Sequence, residues 1–531
     1  MSRGFASVAV LSFALLVAGP AAADEKAGAP PEKLGTVAFA NSCSPEVQQS
    51  FERAVALLHS FWFAESTRSF RDVLARDPGC AIATWGIATN AITNPFGAGP
   101  TPERAKTALD AIAAGRQIGA KTERERLYIE AIAAYWNGFA ERPHRARLVS
   151  LANAFGALAE KYPADDETQI FAALYRTTTQ SPTDKTFAAA LKSAAVLEAQ
   201  FAKHPDHPGV AHYLIHSYDY PAIADKGLAA ALCYADIAPS APHALHMPSH
   251  IFTRVGAWKE SVATNRRSIV AAKAEHDGSG ALHAMDYMVY ADLQMAQDAD
   301  AGRIVADAKT LADADASTAA TPYALAAIPA RYAIERGDWR VARALEPPAS
   351  RFPFATAITY FARALGGARG GDVAGAERDL AELARLVDAE KAAKDGYWAT
   401  EVEVQRLGAA AWIDFAKGER AAALKEMRAA ADMEDASEKA AVTPGRLVPA
   451  RELLGDMLME SGEPAAALAE YEASQVRDPK RFHSLYAAAA AAEKSGNPDK
   501  ARVYYSRLVA MADAGDARQE LVVARAFIAA K

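Results

Sequence analysis

Ser461-Gly462-Glu463-Pro464 recurs as Ser495-Gly496-Asn497-Pro498, and Ala467 and Tyr471 recur as Ala501 and Tyr505. Each pair is 34 positions apart. Leu454, Gly455 and Leu458 precede the first copy and Pro479 closes it. Gly stops one helix, Pro starts the next, and small residues let the two approach closely. One such helical pair cannot bury its apolar face alone. Stacked copies complete a continuous core, so a repeating helical hairpin predicts a solenoid.

Working outward, residues 47–78 run from Phe51 through Phe70 to Asp77-Pro78 with helix–turn–helix spacing. Similar turns stand at Gly256-Ala257-Trp258, Gly337-Asp338-Trp339, Gly371-Asp372-Val373 and Gly418-Glu419-Arg420. The pattern resembles the tetratricopeptide (TPR) repeat and covers most of residues 44–515, with degenerate stretches near 95–125 and 375–400. The expected fold is all-α, a TPR-like solenoid of stacked antiparallel helix pairs. The chain also resembles a family of exported bacterial TPR proteins with no established activity. That likeness rests on Cys80-Ala81-Ile82-Ala83-Thr84-Trp85-Gly86, on His207-Pro208-Gly209-Val210-Ala211-His212-Tyr213-Leu214-Ile215-His216, and on Pro242-His243-Ala244-Leu245-His246-Met247-Pro248-Ser249-His250. TPR kinship implies that the first helix of each pair lines a concave inner groove.

Arg3, an apolar run from Phe5 to Val17, the breakers Gly19 and Pro20, and Ala21-Ala22-Ala23 before Asp24 have the layout of a secretory signal peptide. The expected organisation is a signal peptide at 1–23, a linker at 24–43, repeats at 44–180, histidine-rich repeats at 181–300 and C-terminal repeats at 301–531. The expected location is periplasmic or secreted, with no membrane span after cleavage. The net charge of −7 with no basic stripe argues against nucleic acid as a partner. Three cysteines are present. Cys43 and Cys80 each precede a helix, and those helices should be parallel neighbours, so these two are expected to form a disulfide in an oxidising compartment. Cys233 is expected to be a lone buried thiol. No Cys-x-x-Cys-His for covalent haem and no Gly-rich nucleotide loop occurs, and Gly97-Ala98-Gly99-Pro100 reads as a loop breaker.

Nine of the twelve histidines lie between His204 and His283. His212 and His216 are four apart, as are His246 and His250, so each pair shares a helix face. The two pairs are 34 apart, one repeat. Matching Gly256 to Gly462 starts a unit at residue 242; the TPR resemblance then implies packing positions for Leu245, Phe252, Leu214 and Tyr218 and groove-lining positions for His243, His246 and His250. His283 and Tyr287 form a third rung, 37 residues beyond His246 and His250. Imidazole is a ligand for zinc or copper, so His212, His216, His246, His250 and His283 are the metal-ligand candidates. His243, Asp219, Asp286 and Tyr287 are placed around them in the groove, with the carboxylates as ligands or as partners that orient a ring. Met247, Met285 and Met288 read as packing with a weak hint of copper. Phe61, Trp62 and Phe63 beside His59 read as inter-helix core, and Trp258 and Trp339 as second-helix starts packed on the helix before.

Two functions follow. The first is a non-enzymatic interaction protein binding a peptide, protein or small ligand in its groove, through histidines that are structural or that recognise a carboxylate. The second is a zinc or copper protein, extending to a metal-dependent hydrolase or oxidoreductase.

Overall fold

The computed structural model describes Met1, residues 32–439 and residues 443–530. The expected signal peptide falls almost entirely outside them. Among the described residues every regular element is helical, and each helix packs on its chain neighbours. The C-terminal repeat shows how the sequence dictates this. Helices Ala450–Glu460 and Pro464–Arg477 are joined through Gly462 at φ 82°, and Phe482–Lys494 and Pro498–Met511 through Gly496 at φ 78°. A left-handed residue ends a helix cheaply only as glycine. Gly256, Gly337, Gly371 and Gly418 adopt the same hand at the turns expected of them. Gly455 is the close-approach position: a Cβ there would stand 2.5 Å from the Tyr471 ring. The stretch near 375–400 departs from the 34-residue spacing because its helices, Val373–Ala392 and Gly396–Ala416, are 20 and 21 residues long.

Residues 33–531 form one compact unit, described by itself. Its apolar core gathers into three clusters, spanning Leu34 to Phe252, Trp258 to Ile328, and Ala296 to Ala524. The sequence boundaries at residues 181 and 301 fall inside this unit. The last part of the stretch assigned to a linker is packed: Phe39 is fully buried against Phe51, Trp85 and Tyr128, and Thr36 N–H donates to the Asp206 carbonyl at 3.0 Å. Cys43 and Cys80 are disulfide-bonded, their Cα atoms 4.7 Å apart. Cys233 is free and only partly buried.

The C-terminal repeats turn back onto the middle of the chain. Lys185 Nζ meets Glu438 Oε1 at 2.7 Å, Trp258 Nε1 donates to the Lys480 carbonyl at 2.9 Å, Arg481 donates to Tyr290 Oη at 2.8 Å, and the Phe482 N–H donates to Gln294 Oε1 at 2.8 Å. Trp258 therefore starts a helix as expected, yet its indole N–H is spent on this return rather than on the preceding helix. These contacts bring the C-terminal repeats against the histidine-rich repeats.

Candidate metal centre

Three inner helices carry the histidines. The first, Pro208–Tyr218, begins with proline at its first position, and His207 caps it by accepting from the Val210 N–H at 3.3 Å. Gly209 lets this helix reach the first repeat, since a Cβ there would lie 2.3 Å from His59 Nδ1. The second is broken into Pro242–His246 and Pro248–Val255, because Pro248 has no N–H for the helical ladder. The third is Gly278–Gln294, reached through Trp258–Ala274. Leu214, Tyr218, Leu245 and Phe252 are all buried.

All the histidines singled out come together, and His243, placed beside the ligands on sequence, stands among them. They form two triads. His212, His216 and His243 each offer a nitrogen within 4.8 Å of the others, and so do His246, His250 and His283. The triads adjoin: ring centroids are 5.8 Å apart for His216–His250 and for His243–His246. His212, His216, His246 and His250 are buried, and His243 and His283 are partly so.

The surrounding hydrogen bonds fix where the protons sit. His212 Nδ1 is 2.6 Å from the His59 carbonyl, which can only accept, so Nδ1 carries the hydrogen and Nε2 is a bare lone pair. Asn265 Nδ2 donates to the Ser261 carbonyl at 2.8 Å, which turns its Oδ1 onto His246 Nδ1 at 2.7 Å. His250 Nδ1 faces Asp219 Oδ2 at 3.0 Å. Both rings thus hold their hydrogen on Nδ1, and their two Nε2 lone pairs face each other at 3.1 Å. Nε2 of His212, both nitrogens of His216 and Nε2 of His243 are buried with no hydrogen-bond partner among the described residues.

Burial holds all six imidazoles below their ordinary range, and repulsion from a neighbouring imidazole adds to this for every ring but His250: His216 acts on His212, His250 on His216, and His283 on His246. For His250 the Asp219 carboxylate works in the opposite direction and reduces the effect. The rings are therefore neutral, the form that ligates metals.

The carboxylates divide. Burial opposes the charge of Asp219, but Lys439 at 3.6 Å, Arg254 at 2.8 Å and His250 outweigh it and hold the group well below the usual carboxylate range. Asp219 orients His250. Asp286 does not join the site as sequence suggested, because its Oδ1 accepts from Arg331 Nε at 2.8 Å. Neighbouring His283 by three positions put it near the right helix face, but Arg331 claims it. Tyr287 Oη lies 3.4 Å from His250 Nδ1 and its ring 4.7 Å from that of His246. Met247, Met285 and Met288 are buried in the apolar core.

Sequence reasoning missed the aromatic wall. Phe61, read as core, lies 4.4 Å from His212 and 5.4 Å from His243, centroid to centroid, and Phe96 stacks on His216 at 4.0 Å. Phe61 adopts φ 53°, a left-handed conformation that costs a bulky residue about 1–3 kcal/mol. A cavity of about 750 Å³ opens beside this wall, lined by Phe61, Trp62, Arg71, Arg104, His243 and His283 among others.

A second cluster, His59, Glu167 and His207, is chemically different. The Glu167 oxygens accept from His59 Nε2 at 2.9 Å and His207 Nε2 at 3.0 Å, while His59 Nδ1 pairs with Tyr213 Oη at 2.9 Å. With the Val210 N–H on His207 Nδ1, every nitrogen has a consistent partner. This is a closed hydrogen-bonded strut that ties the first repeat to Pro208–Tyr218.

No protein-family description matches the chain, and no curated protein matches it. Among solved structures it is similar to the human IFIT1 dimer with PPP-AAAA, at 10% identity and a TM-score of 0.40, and to the human IFIT1 dimer with m7Gppp-AAAA, at 11% and 0.37. Each covers 81% of this chain and 90% of the other. A likeness at that level says nothing about ligands. No helix of the described residues is long and apolar enough to cross a membrane.

Proposed function

We propose that this TPR-like solenoid is a metalloprotein that holds a late first-row transition metal, copper or zinc, on its inner histidines. One arrangement carries the reading: His246 Nε2 and His250 Nε2 stand 3.1 Å apart, and with the ring hydrogens on Nδ1, where Asn265 and Asp219 accept them, two lone pairs face each other. Such lone pairs repel unless a cation lies between or beside them. Metal bonds of about 2.0 Å place tetrahedral ligand nitrogens about 3.3 Å apart, close to this spacing. The alternative cation, a shared proton, is opposed by the burial that disfavours imidazolium at every ring of the centre. Asn265, Asp219 and the His59 carbonyl play the part of the outer partners that fix imidazole tautomers around metals.

The cavity that reaches His243 and His283 favours a companion reading, the recognition of a small ligand next to the metal. The first reading from sequence, a peptide, protein or small ligand bound in the groove, keeps this cavity as its site. Export to an oxidising compartment is part of the proposal and is supported by the Cys43–Cys80 bond.

The test is elemental analysis of untagged protein purified without chelator. Copper or zinc near or above one equivalent per chain is expected. Metal-free protein whose melting temperature ignores added Cu or Zn overturns the reading.

A further inference from the structure

Resting on that reading, we infer that the centre takes two copper ions, one on His212, His216 and His243 and one on His246, His250 and His283, entering as cuprous ions. The grouping supplies the count. Six imidazoles are too many for one tetrahedral ion, and they divide by distance into two sets of three. Each set has at least one nitrogen prepared to ligate by a hydrogen bond on the far side of its ring: His212 by the His59 carbonyl, His246 by Asn265 and His250 by Asp219. His216 has neither nitrogen engaged although it is buried, so ligation is what remains for it in a packed interior. His243 and His283 are the members of their triads that also line the cavity.

Charge selects the ion. All six ligands are neutral. Asp219 is matched by Arg254 and Lys439, and Asp286 Oδ1 pairs with Arg331, so these two carboxylates bring no net negative charge to balance two neighbouring dications. The mutual repulsion of the pair grows with the product of the charges, fourfold from +1 to +2 on each ion. Imidazole suits copper, and Cu(I) carries the single charge. Phe61 and Phe96 wall the first triad with apolar rings, which further favours the ion of lower charge.

The experiment is an anaerobic titration of the full chain with Cu(I) against a chromophoric competitor, with Zn(II) in a parallel arm. Two Cu(I) per chain are expected, and fewer than two Zn(II). His216→Phe and His283→Gln should each retain one Cu(I), with the circular dichroism of the metal-free variants unchanged. A single Cu(I) per chain overturns the pair while leaving the metal reading intact. Two Zn(II) without copper, or a variant that keeps or loses both ions, also overturns it. No binding of either metal removes the pair and the metal reading together.

Discussion

His250 Nδ1 stands 3.0 Å from Asp219 Oδ2, while the other oxygen of the same carboxylate accepts from Arg254 Nε at 2.8 Å. One buried anion both sets the tautomer of a candidate ligand and neutralises a buried guanidinium. The two roles are separable. Asp219→Asn should weaken metal binding about 10–100-fold, and should destabilise the protein by about 3 kcal/mol through the unpaired Arg254. Adding Arg254→Met should recover much of the stability and none of the affinity. Urea unfolding and competitive metal titration of the two variants check this; affinity returning with the second substitution would mean that Asp219 acts on the fold alone.

His216 lies between Phe61 and Phe96 with both ring nitrogens buried and unpartnered among the described residues. Leaving a polar group in that state costs about 1–3 kcal/mol. His216→Phe keeps an aromatic ring in the stack and removes both nitrogens. The metal-free variant should therefore melt no lower than metal-free wild type, and higher by a few degrees if the ring fits. Its stabilisation by added copper should shrink. A clear drop in the metal-free melting temperature would show that those nitrogens hold the fold together.

The repeat was legible because its punctuation is local. Gly462 and Gly496 must adopt the left-handed hand at a helix end, and Gly455 must admit the ring of Tyr471. Glycine meets both requirements at least cost and leaves a trace at fixed spacing. The histidine pairs were legible for the same reason, since positions four apart share a face. The remainder depends on long-range geometry that spacing does not encode. Asp286 was assigned to the site because it neighbours the right helix face, and Arg331, 45 residues later, draws it away. Phe61 and Phe96 reach the centre from more than 100 residues upstream through a turn and a loop. No local pattern announces the return of Lys480 and Arg481 onto Trp258 and Tyr290 either.

The Cys43–Cys80 bond spans 37 positions and closes the first repeat around Phe51 and Phe70. Restricting a loop of that length in the unfolded chain stabilises by about 4 kcal/mol in the chain-entropy treatment. Cys43→Ser with Cys80→Ser should lower the melting temperature and raise amide exchange first in Gln48–His59 and Phe63–Arg76. Unchanged exchange in those two helices would indicate that packing around the buried Phe39 already fixes the repeat.

His483 offers a pH test far from the metal centre. Its Nε2 lies 2.8 Å from Asp456 Oδ1, which also accepts from Tyr471 Oη at 2.7 Å. Burial opposes the imidazolium, but the Asp456 carboxylate outweighs it and pushes His483 up to about 9 from an ordinary 6.5. A cation whose affinity for its proton rises on folding stabilises the fold fully below pH 6.5. That contribution fades as pH climbs through about 9. The imidazole is 37% exposed, so solvent screening holds the effect to about 1 kcal/mol. His483→Gln, which keeps a neutral donor towards Asp456, should therefore be less stable than wild type at pH 6, and the gap should close by pH 10. Chemical unfolding of both proteins at the two pH values measures it. A gap that is the same at both would show that His483 contributes by packing and not by charge.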